Sequence, residues 1–263
     1  MISKNKIKLI RSLGTKKYRL QHGLFIAEGD KVVLDFIRDP EWKIEYLFAK
    51  KEWIRKLSHE DQKNAGEIFE ISYDELKRIS YLKTPHNVLA LVKLPDYNPP
   101  AFPDPSALSL ALDNIQDPGN LGTIMRIADW FGIREIFCSE ASVDAFNPKV
   151  VQASMGSIIH TRIYYAALDK LITNTRNQNL PVFGTFLEGT SVFDSPLPDN
   201  ALVVFGNESK GISMTLAELI DEKITIPSFP PDSTTMNSLN LSAATAIVCA
   251  EFRRRAWKNQ HRE

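Results

Sequence analysis

Cysteine is scarce in this chain, with only Cys138 and Cys249 among 263 residues. Two thiols exclude a disulfide framework and a thiolate zinc site, so no metal is expected. Both lie in apolar runs and read as buried free thiols of a reducing compartment. Long hydrophobic runs are missing too: nothing approaches the roughly 20 apolar residues of a membrane helix. The basic start is not followed by the apolar core of a secretory signal. The expected setting is therefore cytoplasmic, without a membrane. Neither a glycine-lysine phosphate loop nor a GxGxxG stretch is present, which argues against an ordinary nucleotide-binding enzyme. Net charge is also absent, since 32 basic residues cancel 32 acidic ones, so total charge points to no partner.

What is present is an ordinary globular composition, 43% hydrophobic and 24% charged, in a chain long enough for one large or two modest domains. The charge is unevenly placed. Residues 1–98 carry 19 Lys and Arg against 14 Asp and Glu, and residues 99–263 carry 13 against 18. The first 19 residues hold seven basic side chains and no acid. That pattern suits an arm facing nucleic acid and equally a solvated N-terminus. Lys16, Lys17, Arg19 and Lys31 are the candidate phosphate contacts.

Residues 1–94 alternate strand-like and helical stretches, with strands expected at Leu24–Glu28, Ile44–Ala49, Ile68–Ile71 and Val88–Leu94, as in a small α/β domain. Five prolines between Leu94 and Ala107 then break the pattern, and 95–106 reads as a semi-rigid linker. Alternation resumes over 107–263, which forms the second α/β domain. Its last helix runs from about Leu239 to Trp257, with Leu241, Thr245, Val248 and Phe252 on the apolar face. Its basic end, Arg253 to Arg255, complements the helix dipole.

Three stretches of the second domain carry chemistry. From Leu108 to Leu112 an apolar run suits a buried strand. A polar turn follows, and a helix begins at Leu121, with Leu121, Ile124, Ala128 and Phe131 on one face and Gly132 at its stop. Ligands bind at such strand–loop–helix junctions because free N–H groups point outward there. Arg126 falls off the apolar face and is free to meet a ligand, although an ordinary turn with a solvated arginine fits equally. The second stretch is Ala201–Phe205 entering Gly206–Gly211. The third is Lys223–Pro227, followed by a polar loop and Ser238–Ser242.

Quoted as DPGNLGTIMRIADWFG, VVFGNESKGIS, and IP followed by SLNLSAA, these stretches resemble the three motifs of the SpoU/TrmH-type RNA ribose 2′-O-methyltransferases of the SPOUT class. The segment KYRLQHGLFIAEGDKVVLDFI is similar to the N-terminal substrate-recognition domain of that family, a small ribosomal-protein-like RNA-binding fold. The pattern alone would suggest a doubly wound sheet with a nucleotide crevice. The resemblance implies instead a C-terminal α/β trefoil-knot domain with a mostly parallel sheet, in which the last helix passes through a loop near the second motif. It further implies a homodimer acting on ribosomal or transfer RNA, with S-adenosylmethionine held in the knot.

By match to the family motifs, Asn120, Arg126, Glu208, Ser238 and Asn240 are the polar site positions. Gly206, Ile226 and Leu239 would surround the cofactor. A guanidinium is a poor base because its pKa exceeds 12, so Arg126 reads as a phosphate clamp that also lowers the hydroxyl pKa. Glu208 is expected to orient Asn120, with an acid/base role left open. Ser238 and Asn240 also fit as helix caps, and His160 fits as a structural histidine. One departure stands out: SFPPDSTTMN, between Pro227 and Ser238, has no glycine where the family usually has a shorter, glycine-containing loop. A non-catalytic RNA-binding protein on the same scaffold is the rival reading, and binding of S-adenosylmethionine separates the two.

Overall fold

The computed structural model describes residues 2–230 and 238–260. Most of the unusual loop, 231–237, lies outside the described residues. In the first part of the chain come α1 (Lys4–Ser12), α2 (Lys16–His22), β1 (Leu24–Glu28), α3 (Asp30–Arg38), β2 (Ile44–Ala49), α4 (Lys51–Ile54), α5 (His59–Asn64), β3 (Glu67–Glu70), α6 (Tyr73–Ile79) and β4 (Val88–Lys93). There follow β5 (Leu108–Leu112), α7 (Pro118–Trp130), β6 (Glu135–Cys138), α8 (Pro148–Ser154), β7 (Arg162–Tyr165), α9 (Leu168–Asn177) and β8 (Val182–Ser191). The chain closes with β9 (Ala201–Phe205), α10 (Met214–Ala217), β10 (Glu222–Thr225) and α11 (Leu241–Gln260).

These elements form two compact units, and the division is not the one the prolines suggest. The first unit is Met1–Asp96 together with Asp144–Ile159; the second is Tyr97–Val143 with His160–Glu263. In the first unit a sheet of order β1-β4-β2-β3 is antiparallel except for the β2–β3 pair. One core cluster joins Ile10 within α1 and Leu13 just after it to Phe48, Leu76, Ile79 and Leu91. Phe25, Phe36 and Trp42 make a second, aromatic cluster, and Phe146 joins it, 4.9 Å from Phe25 between ring centroids. The Trp42 indole donates to Ile159 O at 3.3 Å. The later segment therefore supplies a ring and an acceptor that residues 1–96 lack, which is why it leaves the expected 107–263 domain.

The second unit is a six-stranded sheet, every pair parallel, of order β10-β8-β9-β5-β6-β7. Its central strands β5 and β9 are buried at every position, as continuous apolar runs in a sheet covered on both faces must be. Much of the proline-rich stretch is a strap on this unit. Tyr97 packs edge-on against Tyr164, and the backbone carbonyls of Ala101 and Pro105 accept from Asn174 and Asn200. One further expectation shifts. Helix α7 begins at Pro118, three residues before Leu121, because Asp117 caps it and proline suits its first position. Residues 157–159 form a 3-10 turn, and β7 starts at Arg162.

Candidate active site

Because β5 and β9 are parallel, with Leu112 beside Phe205, the loops that follow them leave the sheet together. The carboxyl ends of an open parallel sheet are its usual ligand edge. The two loops are stitched there: Asp113 Oδ2 accepts from Ser213 N at 2.9 Å, and Asn207 Nδ2 donates to Asn114 O at 2.8 Å. Asn207 Oδ1 in turn accepts from the backbone of Ser209 and Lys210. Gly211, at φ 69°, turns the chain back so that Asn207 and Gly211 exchange two backbone bonds. Gly206 lies so close to the Gly211–Ile212 peptide that a β-carbon would collide with it.

Two helix N-termini meet beside this loop. Asp117 Oδ1 accepts from Asn120 N at 2.7 Å and caps α7. Asn240 Oδ1 accepts from Ser242 N and Ala243 N and caps α11. Asn240 Nδ2 then donates to Asn120 Oδ1 at 3.1 Å, and Asn120 Nδ2 donates to Glu208 Oε1 at 2.9 Å. The Ser242 hydroxyl also bonds Asn120 Oδ1, at 3.1 Å. Three distant parts of the sequence thus form one chain of hydrogen bonds ending on a carboxylate. The positive ends of two helix dipoles lie next to it.

Asn120, Glu208 and Asn240 are brought together directly. Arg126 lies further along α7, exposed, and has no hydrogen bond or ion pair among the described residues. Ser238 and Leu239 are exposed just before α11, and Ile226 is half-buried just after β10. The cap of α11 is Asn240 and not Ser238. Gly119 and Gly122 lie inside α7 and form no phosphate loop. Ser242, Asn207, Asp113 and Asp117 were not among the expected site residues. Asp117 before Pro118 is a legible cap signature; Ser242 falls in the third motif, but its bond to Asn120, 122 residues away, has no local sign.

Lys16, Lys17 and Lys31 are exposed. Arg19 overturns its expectation as a phosphate contact: it is only 2% exposed and pairs with Asp144 through Nε at 3.0 Å. The basic end of α11 is likewise engaged internally, since Arg253 donates to Phe131 O and Arg254 and Arg255 both hold Glu251. Those bonds keep the Glu251 carboxyl down at about 2. His160 is a surface residue 3.2 Å from Asp129. Burial pushes both cysteine thiols up to about 12. Among the described residues no group of His, Cys, Asp and Glu is placed to hold a metal ion, and no helix is long and apolar enough to cross a membrane.

A parallel sheet with a polar chain across its carboxyl-end loops defines an α/β protein with its ligand site at that edge. Residues 107–250 match the SpoU rRNA Methylase family, and residues 4–90 match the MRM3-like substrate binding domain. This chain belongs to the SpoU rRNA methylase family. It is 26% identical to the 23S rRNA (guanosine(2553)-2'-O)-methyltransferase RlmP of Bacillus subtilis, covering 94% of this chain and 96% of that protein. A TrmH-family protein from Porphyromonas gingivalis superposes with a TM-score of 0.87 at 39% identity, over 97% of this chain and 99% of that one. The AdoMet-bound rRNA methyltransferase of Sinorhizobium meliloti gives a TM-score of 0.86 at 29% identity, over 97% and 96%.

Proposed function

We propose that this protein transfers the methyl group of S-adenosylmethionine to a ribose 2′-hydroxyl of structured RNA, with ribosomal RNA favoured by the names of its relatives. The observation that carries the reading is the Asn240–Asn120–Glu208 chain, with the exposed Arg126 further along the same helix as Asn120. The cofactor, when bound, supplies an electrophilic methyl group. Gly206, Ile226 and Leu239 would hold its adenosine: a buried residue without a side chain after β9, a half-buried apolar one after β10 and an exposed apolar one before α11. Arg126, with its fork unspent, would clamp the phosphate next to the reacting ribose and orient the hydroxyl. Glu208 receives the Asn120 amide and holds the second-motif loop in register with the first. Ser238, exposed and not engaged as a cap, is free to meet substrate.

Lys16, Lys17 and Lys31 would neutralise RNA phosphates. Action as a homodimer in the cytoplasm completes the proposal. The dimer is supported by two tryptophans exposed on the second unit, Trp130 at 85% and Trp257 at 65%, since tryptophan is enriched at interfaces. The test is transfer of labelled methyl from S-adenosylmethionine to RNA, with the modified ribose mapped. Tight cofactor binding without any methylation of cellular RNA would sink the enzymatic reading, and sedimentation of a monomer alone at micromolar concentration would sink the dimer.

A further inference from the structure

The loop between β5 and α7 is zipped along its length to the loop that follows β6. Asn114 N donates to the Ser139 hydroxyl at 2.7 Å, and Ile115 N to the Ser142 hydroxyl at 3.1 Å. The two hydroxyls meet at 3.1 Å, and Val143 N closes the zip on Ile115 O at 2.7 Å. Gln116 spends its amide nitrogen the same way, on Ala141 O and Asn114 Oδ1. Ser142 is only 6% exposed. Within the zip Asn114 sits at φ 57°, in the left-handed region that a side chain enters at a cost. Such a conformation persists where its surroundings over-determine it. Asn114 is held at three groups: Ser139 accepts from its N–H, Gln116 donates to its side-chain oxygen, and Asn207 donates to its carbonyl.

We propose that Ser139 and Ser142 are positioning residues for methyl transfer, acting on Asn120 through the first-motif loop. The inference rests on the methyltransferase reading above. Ile115 lies two residues before Asp117, whose carboxylate caps α7 by accepting from Asn120 N. The zip therefore fixes where α7 starts, and with it the Asn120 side chain that meets Asn240, Ser242 and Glu208. Asn120 is thus set from two directions. Asn240 and Ser242 hold its side-chain oxygen from α11, while the two serines hold its backbone from the loop after β6. Ser142 sends its own hydrogen to Leu112 O, which leaves the Ser139 hydrogen for Ser142. Neither hydroxyl keeps a proton for substrate, so both act through the loop. A small displacement of an aligned group lowers the rate steeply while binding contacts elsewhere survive.

The experiment measures methyl transfer by the full-length protein from labelled S-adenosylmethionine to total RNA of cells lacking this enzyme. Calorimetry with S-adenosylmethionine and thermal melts accompany every variant. Ser142→Ala should lower kcat about tenfold, with KM for RNA and cofactor affinity within about twofold of the wild type, because orientation is lost and binding surfaces are kept. Ser139→Ala should act in the same direction, and Ser139→Thr should restore most of the rate by keeping the hydroxyl. Because Ser142→Ala leaves the buried Ile115 N–H without its acceptor, a second variant separates lost fold from lost position. Asn114→Gly adopts φ 57° without strain, so it should melt close to the wild type while kcat falls. Ser142→Ala combined with Ser242→Ala should cost less than the product of the two single losses, since both act on the position of Asn120. Strictly multiplicative losses overturn this inference alone. So does a kcat near the wild type's in Ser142→Ala and Asn114→Gly, or a joint fall of kcat, cofactor affinity and melting temperature in both, which would make the zip a structural stitch only. A wild type that methylates no RNA overturns the functional reading and this inference with it.

Discussion

The direction of every hydrogen bond in the polar chain follows from one fact: a backbone N–H can only donate. Ser242 N and Ala243 N therefore fix the Asn240 side-chain oxygen as acceptor, and its nitrogen must face Asn120. That places the Asn120 nitrogen toward Glu208, whose Oε1 accepts. Ser242→Ala removes one bond to Asn120 and should cost about 1 kcal/mol in transition-state stabilisation, read from kcat/KM. Arg126→Ala should lower methyl transfer about a hundredfold or more while leaving the melting temperature and cofactor affinity in place, since Arg126 is exposed and unpartnered. Arg126→Lys should rescue little, because a point charge does not replace a planar fork; a lysine variant with near-normal turnover refutes the clamp. Gly206→Ala should destabilise the second-motif loop by about 1–3 kcal/mol through collision with the Gly211–Ile212 peptide. Its melting temperature and its cofactor affinity should fall together, and a fall in affinity alone would place the intrusion at the cofactor instead.

Helix α11 is fastened at both ends. Asn240 ties its start to the site, while Arg253 reaches Phe131 O and Arg255 reaches Phe193 O near its far end. Glu251, nearly buried beside Arg254 and Arg255, has its pKa lowered from 4.5 to about 2. A depressed carboxyl stabilises the fold fully above its unfolded value and loses that contribution as pH falls toward the folded one. Between about pH 4.5 and 2 the wild type should therefore lose melting temperature more steeply than Glu251→Gln, a comparison that acid-titrated thermal melts make directly. Helices of this kind were legible in sequence. The face of Leu241, Thr245, Val248 and Phe252 is buried as its spacing requires, and the apolar runs of β5 and β9 became central strands. Three helices were not legible, the four-residue α10 among them. Helix α2 has no apolar periodicity, being held by Arg19, and α5 is a short polar helix closed by a capping box at Ser58 and Asp61. The site was legible as three separate stretches; the bonds between them cross 88 to 122 residues and leave no local periodicity.

At the scale of the whole chain, the prolines marked a change of unit but not how the units are composed. Composition could not reveal that residues 97–105 lie along the second unit, or that Asp144–Ile159 belongs to the first. That segment looks like one more βα repeat, but Phe146, Asp144 and Ile159 O, meeting Phe25, Arg19 and Trp42, assign it elsewhere. A fragment starting at Tyr97 should melt several degrees above one starting at Ser106, since the strap contributes about 1–2 kcal/mol through Tyr97 and its hydrogen bonds. Scanning calorimetry of the two fragments decides it, and equal melting would reduce the strap to a passive connector. The inserted segment also sets a schedule. A chain made from its N-terminus completes Met1–Asp96 with Phe25, Phe36 and Trp42 lacking their later partner, and Arg19 lacking its counter-ion. They must wait for Ile159 to emerge, an interval on the order of several seconds at ordinary rates of synthesis. Throughout that interval the nascent first unit presents an aromatic face to any chaperone or neighbouring chain that reaches it.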